Sequence, residues 1–96
     1  MPEPYGIVSG PHSEHSVMLY ALSTCVWCRK TRQFLEDAGV TFRFTYVDLL
    51  RGQEREDAMS VVHRWNPAAS FPTVVIDGTQ SVVGFKPDQL KEALGL

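Results

Sequence analysis

From Val17 onward, apolar and polar residues divide the chain into seven short elements. Val17-Met18-Leu19-Tyr20-Ala21-Leu22 is a continuous apolar run of strand length, as expected for a strand covered on both faces. Ser23 and Thr24 then supply turn and helix-start chemistry. Beyond them Cys28, Thr31, Leu35 and Ala38 recur at helical spacing, and Gly39 stands where a left-handed cap would end the helix. Phe42, Phe44 and Tyr46 alternate with Thr41, Arg43 and Thr45, which predicts a strand with one aromatic face against the core. Between Gly52 and Trp65, the residues Ala58, Val61, Val62 and Trp65 share one helical face, His63 falls on the exposed side, and Asn66-Pro67 closes the helix. Thr73-Val74-Val75-Ile76 and Ser81-Val82-Val83 flank Asp77-Gly78-Thr79-Gln80, a hairpin signal because glycine tolerates positive φ. Pro87 suits the first turn of a last helix whose apolar face is Leu90, Ala93 and Leu94.

The resulting order is β-α-β-α-β-β-α. With a right-handed crossover placing the first two strands in parallel, it predicts an α/β fold built on a four-stranded mixed sheet with helices on both faces. Residues 1–16 contain Pro, Gly, Ser and His without sustained periodicity. They are expected to form a flexible extension ahead of a single domain at 17–96.

Composition narrows the function classes. A chain of 96 residues has room for one core, and 44% hydrophobic with 21% charged residues is ordinary for a soluble protein. A net charge of -2 offers no electrostatic argument for nucleic acid or an anionic membrane. No apolar stretch approaches the ~20 residues of a membrane-spanning helix. Met1-Pro2-Glu3-Pro4-Tyr5 lacks the positive start and apolar core of a secretory signal, so a monomer in the reducing cytoplasm is expected. In that setting a close cysteine pair is more often catalytic than structural.

Both cysteines lie in Cys25-Val26-Trp27-Cys28. A structural disulfide closing so short a loop removes little unfolded-chain entropy. A structural zinc site takes four ligands, and the other soft candidates are His12, His15 and His63, two of them in the extension. A redox dithiol fits best, because Cys25 falls at the open N-terminus of the predicted helix and Cys28 one turn along, on its inward stripe. The helix start should stabilise a Cys25 thiolate. Arg29, Lys30 and Arg32 follow, either adding to that effect or forming a solvated helix face.

Three features coincide in this order of elements: the cysteine pair after the first strand, Ser70-Phe71-Pro72-Thr73 entering the third, and Gly84-Phe85-Lys86-Pro87-Asp88 before the last helix. Over residues 17–95 the chain resembles the thioredoxin-fold superfamily and, within it, the glutaredoxin family. The resemblance implies a cis Phe71-Pro72 bond beside the dithiol, a nucleophilic Cys25 and a resolving Cys28. It also implies a substrate side made of Trp27, Phe71, Pro72, Thr73, Gly84 and Phe85, with the Phe71 backbone pairing to an extended substrate. The stretch from Gly84 to Asp88 is similar to the NrdH-redoxin branch, whereas typical glutaredoxins carry Gly-Gly and Asp there to help hold glutathione. Leu22 stands where typical glutaredoxins place a lysine for a glutathione carboxylate and where NrdH-redoxins often keep it too, so it departs from both patterns and argues against glutathione more than against redox activity. The implied partners are disulfide-containing proteins and an upstream reductase such as thioredoxin reductase, with no cofactor beyond the dithiol. The resemblance leaves open a glutathione-dependent glutaredoxin, or an iron-sulfur relative that bridges a cluster through the first cysteine. The segment from Leu49 to Asn66 is longer than in either group, as a partner-selecting feature or a variable connection.

Overall fold

The computed structural model describes residues 4–96. The strands are β1 (Tyr5–Val8), β2 (Val17–Ala21), β3 (Phe42–Tyr46), β4 (Thr73–Ile76) and β5 (Gln80–Val83). The helices are α1 (Val26–Asp37), α2 (Gly52–Trp65) and α3 (Pro87–Leu94), with a short 3-10 turn at Val47–Leu49 after β3. The sheet runs β1-β3-β2-β4-β5. Only β2 and β3 are parallel, joined through α1, and the other neighbours pair antiparallel.

Strand alternation explains the layers. Val17, Leu19 and Ala21 of β2, Phe42 and Phe44 of β3, Val74 and Ile76 of β4, and Val82 of β5 share one face of the sheet. They form the core with Cys28 and Leu35 of α1 and Leu90 and Leu94 of α3. The opposite face carries α2, which packs on β4 and ties to β5 where the Ser81 hydroxyl donates to Trp65 O at 3.2 Å. Toward β1 and β3 that second face stays open, as a groove of about 660 Å3 lined by residues including Tyr5, Ile7, Met18, Tyr20, Leu50 and Val61. No helix among the described residues is long and apolar enough to cross a membrane.

The fold class is the expected one, with one correction at the N-terminus. The sheet has five strands rather than four, and the segment expected as a flexible extension contributes β1. Residues 1–3 of that segment lie outside the described residues. Backbone pairing holds the rest: Tyr5 to Val8 run in register with Thr45 to Phe42. His12 N–H donates to Gly39 O at 2.9 Å, Thr41 N–H donates to His12 O at 2.8 Å, and the Thr41 hydroxyl bonds both the N–H and the C=O of Gly10 at 2.9 Å. His15 pairs with Asp77 at 2.7 Å. Two glycines permit this approach. A Cβ at Gly6 would meet the Phe44 ring at 2.9 Å, and one at Gly10 would strike the backbone of Gly39. These ties are long-range and leave no local periodicity, so a pattern reading misses them.

Local chemistry elsewhere follows expectation. Gly39 takes φ +71 just past α1. Asp77 and Gly78 both have positive φ, and Thr79 N–H donates to Ile76 O at 3.1 Å, the geometry of a type I′ hairpin turn. After α2, Asn66 turns inward. Its amide NH2 faces Ser70 O and Oγ, each at 3.0 Å, and Thr73 Oγ1 at 3.2 Å, while its Oδ1 accepts Ala68 N–H at 3.2 Å. This buried network shapes the loop into β4. Asn66→Ala is expected to lower the unfolding free energy by about 1–3 kcal/mol, because the groups left behind lose their donor in a dry site. Urea titration checks this, with an unchanged midpoint as the opposing result.

Candidate active site

The site is built at the end of the sheet where β2 and β3 finish and β4 begins. Leu22 O accepts the Cys25 N–H at 3.3 Å, closing a tight turn after β2. Cys25 is the N-cap of α1, with extended backbone at φ -94 and ψ 119. Its sulfur accepts the Cys28 N–H at 3.1 Å, the role an oxygen of Ser or Asp takes at most helix starts. Both thiols are free; Cys25 is half-buried and Cys28 is only 2% exposed. Burial pushes the Cys28 thiol up to about 12, reinforced by its hydrogen bond with Cys25 and by the charges of Cys25 and Asp48, against an opposing backbone contact at Leu22. The reduced pair therefore holds one reachable sulfur and one inward thiol that keeps its proton at neutral pH.

Register delivers the rest of the site. Thr73 lies opposite both Tyr20 and Val83, so Pro72 falls level with the end of β2 and Gly84 with the start of β4. The Phe71–Pro72 peptide is cis, as the resemblance implied, and Pro72 O accepts the Gly84 N–H at 2.8 Å. Trp27 is 56% exposed and stacks on Phe85 with centroids 6.2 Å apart, while Phe34 meets Phe85 edge-on at 6.5 Å. Phe71 is half-buried against the core. Thr73 differs from the expectation of a substrate contact: its side chain has no exposed surface, and its hydroxyl donates to Ser70 O at 2.9 Å. It braces the loop.

The basic cluster separates. Arg32 turns away from the sulfurs, bonding Glu36 at 2.9 Å and the Tyr46 hydroxyl at 2.8 Å over the Phe44 ring. Lys30 Nζ lies 5.3 Å from the Trp27 ring centroid, and Arg29 is exposed. Leu22 is half-buried. Among the described residues, no group of three or more His, Cys, Asp or Glu is placed to hold a metal ion. Three further residues, which the local pattern does not single out, border the site: Val26, 55% exposed beside Trp27, Phe34, the support under Phe85, and Asp48, whose carboxylate accepts the Ser23 N–H at 2.8 Å and the Ser23 hydroxyl at 2.5 Å. One signal was present: Asp48 closes a parallel strand, and sites in α/β sheets gather at the carboxyl ends of such strands.

A dithiol at the helix start after β2, facing a cis-proline before β4, defines a thioredoxin-fold dithiol protein. The glutaredoxin family model matches residues 17–80. The glutaredoxin of Methanosarcina mazei superposes with a TM-score of 0.93 at 46% identity, covering 98% of this chain and 90% of its own. Methanoredoxin of Methanosarcina acetivorans gives 0.90 at 44% identity, covering 95% and 96%. NrdH-redoxin of Escherichia coli gives 0.60 at 28%, covering 80% and 92%. The chain belongs to the glutaredoxin family, and family and fold together support a thiol-disulfide oxidoreductase role.

Trp27 reports on the pair from between the two sulfurs. Oxidation to the disulfide is expected to change tryptophan emission, and Trp27→Phe to abolish the change while Trp65 still emits. An identical spectrum before and after confirmed oxidation would contradict this placement.

Proposed function

We propose that this protein is a dithiol redoxin that reduces disulfides in partner proteins. The observation carrying the reading is the inequality of the sulfurs: Cys25 accepts an N–H at the helix start and is reachable, while Cys28 is buried and protonated. Cys25 attacks as the thiolate, its charge facing the Cys28 N–H and the positive end of α1. The partner's S–S bond breaks, one partner sulfur leaves and takes a proton, and a Cys25 mixed disulfide forms. Cys28 then loses its proton and attacks the Cys25 sulfur. This releases the second partner sulfur as a thiol and closes the Cys25-Cys28 disulfide. Two electrons pass from the dithiol to the partner, and an upstream reductase of the thioredoxin reductase type returns them.

Val26, Trp27 and Phe85 offer a ledge beside Cys25 suited to an apolar segment of a protein substrate. Pro72 is buried and has no N–H to donate, so the backbone of the half-buried Phe71 before it is the part of this loop suited to meet an extended substrate. The apolar Leu22 supplies no cation for a glutathione carboxylate, which favours protein disulfides over glutathione. A reducing cytoplasm suits such a dithiol.

Two measurements test this. With an oxidised protein such as insulin as substrate, Cys25→Ser should abolish turnover. Cys28→Ser should accumulate a mixed disulfide on Cys25, visible in intact mass and released by dithiothreitol. Full turnover by Cys25→Ser, or no adduct with Cys28→Ser, would sink the proposal. The pH dependence has a definite sign. Burial still disfavours the Cys28 thiolate once Cys25 is held in the mixed disulfide, so resolution should accelerate as pH rises, up to roughly tenfold per unit while the thiol predominates. Stopped-flow release of the second partner sulfur follows this step, and a rate independent of pH between about 6 and 9 would contradict the role given to Cys28.

A further inference from the structure

The turn carrying the dithiol is held from outside by one carboxylate. Asp48, in the 3-10 turn after β3, accepts the Ser23 N–H at 2.8 Å and the Ser23 hydroxyl at 2.5 Å. Ser23 lies two residues before Cys25, and the preceding Leu22 accepts the Cys25 N–H. Two bonds from one carboxylate fix Ser23 in position and orientation together, as a single contact would not. Those bonds also hold the Asp48 carboxyl below its usual range despite partial desolvation, so it is anionic at neutral pH. Two other ionisable groups bear on this arrangement: Cys25, whose sulfur accepts the Cys28 N–H at the helix start, and Arg55 of α2, whose charge favours the Asp48 carboxylate.

We infer that Asp48 is a positioning residue for the dithiol, clamping the β2–α1 turn through Ser23 and placing a fixed negative charge beside that turn. The inference rests on the redoxin reading and deepens it. The clamp keeps Cys25 in place for attack. The charge opposes loss of the Cys28 proton both before and after the mixed disulfide forms. Asp48 touches neither sulfur, so removing it should alter rates and ionisation without abolishing the chemistry.

Asp48→Asn keeps the shape and one acceptor for the Ser23 N–H while removing the charge; Ser23→Ala removes the hydroxyl bond alone. Cys28 ionisation is read by the pH profile of iodoacetamide alkylation in a Cys25→Ser background, which requires no turnover. There Asp48→Asn should raise the alkylation rate at a given pH by about two- to fivefold, the range for charges in mostly solvated surroundings. Ser23→Ala should act in the same direction and less. In the Cys28→Ser background, both changes should slow Cys25 attack on 5,5′-dithiobis(2-nitrobenzoate), and the double variant should be no slower than the worse single one, because they break the same link. A superimposable Cys28 profile in folded Asp48→Asn overturns the inference, as does full additivity in the attack rate. Should Asp48→Asn not fold, an unshifted profile in Ser23→Ala overturns it equally. Absence of any Cys25 adduct in the parent protein would instead defeat the redoxin reading, while the alkylation profiles would still decide whether Asp48 governs Cys28.

Discussion

The pairing of β2 on both its edges is the constraint on which the molecule depends. Parallel to β3 on one side and antiparallel to β4 on the other, it brings the end of β2, the end of β3 and the start of β4 to one edge of the sheet. Every chemically active residue described above lies at that edge. Because β2 and β4 run in opposite directions, Pro72 falls level with the end of β2, from which the chain turns into Cys25. A slip of one residue in either pairing would turn Leu19 and Val74 out of the core, so apolar burial itself enforces the register.

Helix geometry then distinguishes two chemically identical side chains. At the first position the sulfur sits outside the helical turn and substitutes for a capping oxygen; three residues later it points into the layer between α1 and the sheet. The same spacing that makes the two sulfurs neighbours places them in different dielectric surroundings. The division of labour proposed for them follows from this placement and needs no specialised catalytic residue at either position. The clamp proposed for Asp48 and Ser23 would add to that asymmetry.

Much of this was legible in the sequence because it is written locally. The apolar run at β2, the aromatic alternation of β3, the Asp77-Gly78 turn and Pro87 at the start of α3 each encode their element in a few adjacent residues. The dithiol was legible for the same reason. What escaped is written across distance. β1 carries no periodic signal, because its partner is β3 and its side chains remain largely outside the core. Thr73 looked like a substrate contact by its position after Pro72, but its hydroxyl is spent on Ser70 and Asn66. Arg32 looked like part of a cationic patch beside the cysteines, yet its partners lie one helical turn away and on β3. Asp48 and Ser23, 25 residues apart, meet only once the sheet has formed.

The first strand divides its residues unevenly between two tasks. Tyr5 and Ile7 are 55% and 59% exposed, so their side chains give little to the core. The strand adheres through its backbone, and that adhesion requires Gly6 to let the Phe44 ring lie against it and Gly10 to let the chain pass over Gly39. The information that specifies this segment therefore resides in its two smallest residues. Tyr5 and Ile7 are open to polar exchange at small cost in folding, while a methyl group at Gly6 would displace the Phe44 ring and one at Gly10 would strike the Gly39 backbone.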